Sequence, residues 1–157
     1  MPDPDRPSAV PWPPLLLVTV VGLGAVLRRL APMPWPDGAL GERLGWAGIA
    51  LIVGGLGIEL SVVMALRRAA TTVMPHRGAS ALVTDGPFQR SRNPIYVAHV
   101  ALVLGLGLLL GNGWWVALAP VFAVAIDRLA ILREERHLEA RFGDAYARYR
   151  ASVRRWL

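Results

Sequence analysis

Apolar residues along this chain gather into long blocks, without the spaced stripes of a soluble helix or the alternation of a half-buried strand. A helix needs about 20 residues to cross the ~30 Å hydrocarbon core of a bilayer, and four blocks approach that length. The first covers 12–30; only 15–27 is uninterrupted, and Arg28 and Arg29 close it where their guanidiniums can snorkel to the interface. The second, 44–66, is apolar apart from Glu59. The third, 95–111, and the fourth, 113–132, are separated by little more than Asn112 and are expected to form a tight helical hairpin. Trp114 and Trp115 stand at its turn, where an interfacial aromatic belt belongs. The predicted architecture is an all-α membrane protein with about four transmembrane helices in a single domain over 1–157. Residues 1–14 read as a flexible tail, 67–94 as a loop, and 133–157 as a C-terminal helical segment.

That last segment has a pattern of its own. Leu138, Phe142, Tyr146, Tyr149, Val153 and Trp156 recur at steps of three and four, the period of a helix with one apolar face. Gly143 followed by Asp144 is a possible break, a helix-ending glycine and then an N-cap. Arginines crowd the polar face, so the segment is expected to lie along the membrane surface or close over the bundle.

Charge decides the orientation. The net charge is +6, and all 17 basic residues are arginine. The 67–94 loop carries Arg67, Arg68, Arg77, Arg90 and Arg92 against one acid, Asp85, and the tail from Asp127 is also arginine-rich. With four spans both fall on one side, and the positive-inside rule makes that side cytosolic, against a smaller contrary signal from Arg28, Arg29 and Arg43. Because the arginines flank apolar blocks, anionic lipid headgroups explain them better than nucleic acid does. There are no cysteines, which excludes thiol nucleophiles and thiolate metal sites. His76, His99 and His137 lack the spacing of a metal motif, so no metal is expected. The glycine clusters at 54–57 and 105–107 sit inside apolar spans with no strand before them and read as helix-packing positions, not as dinucleotide loops.

Two segments on the cytosolic side hold the candidate chemistry. One runs from Leu82 through Asp85-Gly86-Pro87-Phe88 to Arg92-Asn93-Pro94-Ile95-Tyr96, with Pro94 suited to open the third helix. The other is Arg133-Glu134-Glu135-Arg136-His137-Leu138, where the fourth helix leaves the membrane. The hairpin between them goes out and returns, so arginine and paired carboxylates meet at one bilayer face. This arrangement resembles the isoprenylcysteine carboxyl methyltransferase and phospholipid methyltransferase group of integral membrane enzymes. Their pattern is Arg-His-Pro-x-Tyr-x-Gly, a hydrophobic hairpin, then Glu-Glu-x-x-Leu. Here it stands as Arg92-Asn93-Pro94-Ile95-Tyr96-Val97-Ala98, the hairpin, and Glu134-Glu135-Arg136-His137-Leu138, with Asn93 in place of the histidine and Ala98 in place of the glycine. Further positions of similarity are Leu82 to Pro87, Phe142-Gly143, Tyr146, Tyr149 and Arg154-Arg155-Trp156, so the likeness covers roughly 71–157.

The resemblance implies S-adenosylmethionine as cofactor, held under the C-terminal segment, and an amphipathic or lipid-like acceptor arriving from the bilayer. It implies Arg92 and Glu135 as catalytic residues and Asn93, Pro94, Tyr96, Glu134 and Glu135 as the cofactor-binding set. Arg92 suits the cofactor's carboxylate or an anionic headgroup, and a glutamate suits its ammonium or ribose hydroxyls. Methyl transfer from a sulfonium is an in-line displacement, so alignment and exclusion of water are the protein's main contribution. Rival classes are a small proton-coupled exporter using Glu59 and a sterol-reductase-like enzyme that binds nicotinamide. An acid inside a span is by default a functional hypothesis. With the chemistry at Arg92 and Glu135, Glu59 is expected instead to be structural, meeting His99 or Arg128 within the bundle.

Overall fold

The computed structural model describes residues 12–69 and 81–157, so most of the 1–14 tail and the part of the loop holding His76 and Arg77 lie outside the described residues. The order is α1 (Trp12–Leu30), α2 (Gly38–Arg68), a 3₁₀ turn (Gly86–Gln89), α3 (Pro94–Leu109), α4 (Gly113–Ile126), a π segment (Asp127–Ile131), α5 (Leu132–Phe142) and α6 (Asp144–Ser152). Among the described residues there is no strand. Among the described residues, three helical stretches are long and apolar enough to cross a membrane: Trp12–Leu30, Gly38–Arg68 and Gly113–Phe142. The third predicted block forms the shorter α3, of 16 residues.

Helix boundaries outrun the hydropathy pattern at both places where polar residues continue a helix. α2 begins at Gly38 behind the extended Asp37, so Glu42 and Arg43 stand in its second turn, ahead of the apolar run. The fourth block does not end at 132; the helix continues through the π segment into α5. The C-terminal periodicity belongs to two helices, because Gly143 takes a positive φ of 48° that ends α5 and reorients α6.

α2 packs on α3, α3 on α4, and α4 on α1. Small residues let the backbones approach. A Cβ on Gly48 would lie 2.6 Å from the Gly105 carbonyl oxygen, and one on Gly105 would lie 2.8 Å from the Gly48 carbonyl oxygen. Gly55 and Gly107 are similarly close to neighbours, whereas Gly54 and Gly57 face open space. Of the glycine clusters, only the inward members are packing positions.

The hairpin turn forms as expected. Gly111 adopts φ 59°, and buried Asn112 accepts from the Trp114 amide at 3.1 Å while donating its Nδ2 to the Gly24 carbonyl at 3.1 Å. One expectation fails here. Trp115 is no belt residue: its indole fills the notch left by Gly24 on α1, and its Nε1 donates to Val21 O at 3.0 Å. Trp115 therefore joins the interior, as a large aromatic does when its N–H finds an acceptor. Trp114 stays half-buried and donates to Ala31 O at 2.6 Å, just past the end of α1, where carbonyls lack helical partners.

Val20, Tyr96, Val103, Ala119, Phe122, Ile126 and Ile131 build the shared core. Val18, Leu23, Val53, Leu56, Leu60, Val121 and Val124 point outward and are exposed. An aqueous protein rarely presents so many large apolar side chains on its transverse surface, and a hydrocarbon solvent removes the penalty.

Candidate active site

The π segment decides which side chains the fourth helix turns inward. Along α4 the buried series is Trp115, Ala119, Phe122 and Ile126, at steps of four, three and four. Continued without interruption, that series would turn Arg133 and His137 toward the bundle. One extra residue in the π turn moves the inward face to Ile131 and then Glu135, with Arg133 left exposed. A register shift of one residue thus delivers the two glutamates to the site.

Buried Glu135 meets two arginines. Arg92 Nη2 donates to its Oε1 at 2.8 Å, and Arg155 donates Nε to Oε1 at 3.2 Å and Nη2 to Oε2 at 2.7 Å. The side chains of Arg92 and Glu135 are each 9% exposed, so this charge pair sits largely out of water and rests on its hydrogen bonds. Arg92 also donates Nη1 to Arg150 O at 3.0 Å. Glu134 accepts from the Tyr96 hydroxyl at 3.0 Å.

The C-terminal residues run beside the 91–93 segment and pin it. Arg92 N donates to Arg154 O at 2.9 Å, Ser91 Oγ to Arg155 O at 3.2 Å, and Asn93 Nδ2 to Arg155 O at 3.0 Å. Asn93 is buried, and its amide nitrogen is committed to this join, while Pro94 opens α3. Asp127 completes the seam, 3.5 Å from Arg155 and 3.3 Å from the Trp156 Nε1 donor.

Some of these groups line a cavity of about 110 Å³, with Arg155 behind its Glu135 wall. Arg92, Asn93, Pro94, Tyr96, Glu134 and Glu135, the six residues singled out from sequence, all contribute to its wall. The remainder comes from Val62 and Leu66 of α2, from Ala81, Leu82, Val83 and Phe88 of the loop, from Ile95, and from Leu138, Tyr146 and Tyr149. Tyr149 donates to Phe88 O at 2.7 Å, whereas the buried Tyr146 hydroxyl and Arg92 Nε have no partner among the described residues. Burial, then the Glu135 charge, push the Tyr146 hydroxyl up to about 12, and burial raises Tyr149 as well. Hydrogen bonding to Glu135 raises Arg155 above its already high range.

Sequence reasoning did not assign Arg155, Tyr146 or Tyr149 to the site. Their signal was the resemblance of the Arg154-Arg155-Trp156 run and of both tyrosines to family positions. Val62 and Leu66 carried no signal, because apolar residues in a span all look alike. Glu59 pairs with His99 (3.1 Å) and not with Arg128, which is exposed.

Apolar helices with outward hydrophobic faces, ending in an arginine-clamped carboxylate cavity, define a helical multi-pass membrane protein with a built polar site. The sequence profile of the phospholipid methyltransferase family matches residues 44–145. The chain belongs to that family, a family of membrane methyltransferases. Among curated relatives, an uncharacterised protein of Haemophilus influenzae is 41% identical over 64 residues, 40% of this chain and all of that protein. A nickel-cobalt-cadmium resistance protein, NccN, of Alcaligenes xylosoxydans xylosoxydans is 33% identical over 99 residues, 61% of this chain and 44% of the relative. The protein-S-isoprenylcysteine O-methyltransferase of Schizosaccharomyces pombe is 38% identical over 72 residues, 46% of this chain and 30% of the relative. No solved structure matches the chain.

Proposed function

We propose that the chain is an S-adenosylmethionine-dependent methyltransferase acting on a lipid-like or small hydrophobic acceptor at the cytosolic face of a four-span bundle. The observation that carries this reading is the Arg92–Glu135–Arg155 cluster beside the Tyr96–Glu134 pair, around one cavity at the end of apolar helices. Bound there, S-adenosylmethionine supplies a methyl group activated by its sulfonium. The residues present suit it. The two unpartnered buried donors, Arg92 Nε and the Tyr146 hydroxyl, fit a carboxylate, and Glu134 fits an ammonium or a ribose hydroxyl. Arg92 and Glu135 form the polar centre of the site, while Asn93 and Pro94 set the turn that aims Arg92 and Tyr96.

Leu138, Val62 and Phe88 supply apolar wall, which keeps water from the transfer. The arginine asymmetry supports a cytosolic position for this end, with α3 and α4 crossing as a hairpin. The test is equilibrium binding of S-adenosylmethionine and of NADPH to the detergent-solubilised protein. Saturable binding of the first alone is the expected result; binding of NADPH alone overturns the reading in favour of a reductase.

A further inference from the structure

A second hollow, a groove of about 490 Å³, runs along the α2–α3 seam. Its floor comes from Ile58 and Ser61 of α2 and from Pro94 and Val97 of α3. The 86–91 turn closes its loop end, where Gln89 and Arg90 are exposed. Pro94 is shared with the cavity described above, but Arg92, Glu134 and Glu135 take no part in the groove's walls.

Depth sorts the groove by polarity. Residues three and four apart share a helix face, so Gly54 and Gly57 continue the face of Ile58 and Ser61 toward the middle of the bilayer. A Cβ at either glycine would meet nothing within 4 Å. The trough is thereby prolonged over bare backbone by about one turn, roughly 5.4 Å. An empty trough in hydrocarbon forfeits dispersion contacts along its whole lining, and an acyl chain restores them. At the loop end the character reverses. The Arg90 guanidinium has no ion-pair or hydrogen-bond partner among the described residues. Gly86 stands over Ala65, its added Cβ 4.0 Å from the Ala65 methyl, and Arg68 follows one turn further along that face of α2. Two exposed arginines therefore border this end, against a single acid of the loop, Asp85.

We propose that the groove binds one anionic glycerophospholipid, with an acyl chain along Gly54, Ile58 and Val97 and the phosphate on Arg90. An arginine fork suits phosphate oxygens, the Gln89 amide adds donors, and Arg68 adds a second positive charge. A zwitterionic headgroup would bring its own cation against these arginines and lose part of that attraction. The bound lipid is a structural ligand and not the methyl acceptor, because the groove contains none of the arginine–carboxylate cluster. It clamps α2 to the 86–91 turn, directly ahead of Arg92.

The experiment follows thermal unfolding of the full-length protein in one non-ionic detergent. Dioleoyl phosphatidylglycerol or dioleoyl phosphatidylcholine is added at increasing mole fraction, and a ligand of the folded state raises Tm with saturation. The anionic lipid is expected to half-saturate at a mole fraction at least about five-fold below the zwitterionic one. Arg90→Gln should raise the half-saturating fraction of phosphatidylglycerol roughly five-fold, the share of one surface arginine on an anionic lipid. Arg128→Gln, which removes an exposed arginine outside the groove, should respond as wild type does. Ser61→Leu fills the trough and should abolish the saturable rise, with its melting curve in detergent alone showing that it is folded. Equal responses to the two lipids overturn the proposal. So does an unchanged response in Arg90→Gln or in folded Ser61→Leu. A loss in Arg128→Gln as large as that in Arg90→Gln marks general surface charge instead of a site, and also overturns it.

Discussion

Replacing Glu135 by Gln keeps the shape of the central carboxylate and removes its charge. The geometry gives the cost. Oε1 retains two donors, Arg92 Nη2 and Arg155 Nε, but the second oxygen becomes an NH₂ group facing Arg155 Nη2 across 2.7 Å, donor against donor. Hydrogen bonds to charged groups contribute about 1.5–3 kcal/mol each. The Arg155 side chain is 35% exposed, so solvent screens part of its share. The expected loss is about 3 kcal/mol, the lower end of the range for breaking a buried ion pair. For a chain of this length that corresponds to a Tm lowered by roughly 6–12 °C. The assay is thermal unfolding of the wild type, Glu135→Gln, Arg155→Gln and the double variant in one detergent. Because the two residues share their hydrogen bonds, the double variant should be less destabilised than the sum of the single ones. Additivity to within about 0.5 kcal/mol, together with an unchanged Tm for Glu135→Gln, would refute the clamp.

Three further outcomes are expected. Gly48→Ala should destabilise the protein by about 1–3 kcal/mol, because its Cβ meets backbone atoms of α3, whereas Gly54→Ala, in open space, should be neutral; paired melting curves decide. Thr84→Cys places a single exposed thiol in a chain without native cysteine, and an impermeant reagent added outside intact cells should leave it unmodified; labelling there would reverse the orientation. Tyr146→Phe should weaken S-adenosylmethionine binding roughly ten-fold by removing one buried donor to a charged group. Because the Tyr146 pKa is raised to about 12, the hydroxyl stays protonated and donating, so binding should show no tyrosine limb up to pH 10.

Much of the fold was legible in the chain because transfer of an apolar block into hydrocarbon is a property of the block itself. Its free energy is summed residue by residue and needs no partner, so the apolar segments, the hairpin at Asn112 and the all-helical class followed from sequence. The Arg92–Tyr96 and Glu134–Glu135 motifs were legible as pairs because a hairpin returns to the face it left. What hydropathy cannot see is register. Whether Glu135 or His137 turns inward depends on one extra residue in the π turn, and a register change of that kind leaves the apolar content of the helix untouched. Arg155 lies twenty residues beyond its partner and reaches it only because the chain turns at Gly143. Trp115 left the expected belt because Gly24, far away in sequence, offers a notch of its size. The antiparallel fit of α2 on α3, set by close backbone approach at Gly48 and Gly105, brought Glu59 to His99. Burial preference is carried by each residue alone, whereas a site is made by interlocking surfaces, and only the packed tertiary structure determines how those surfaces meet.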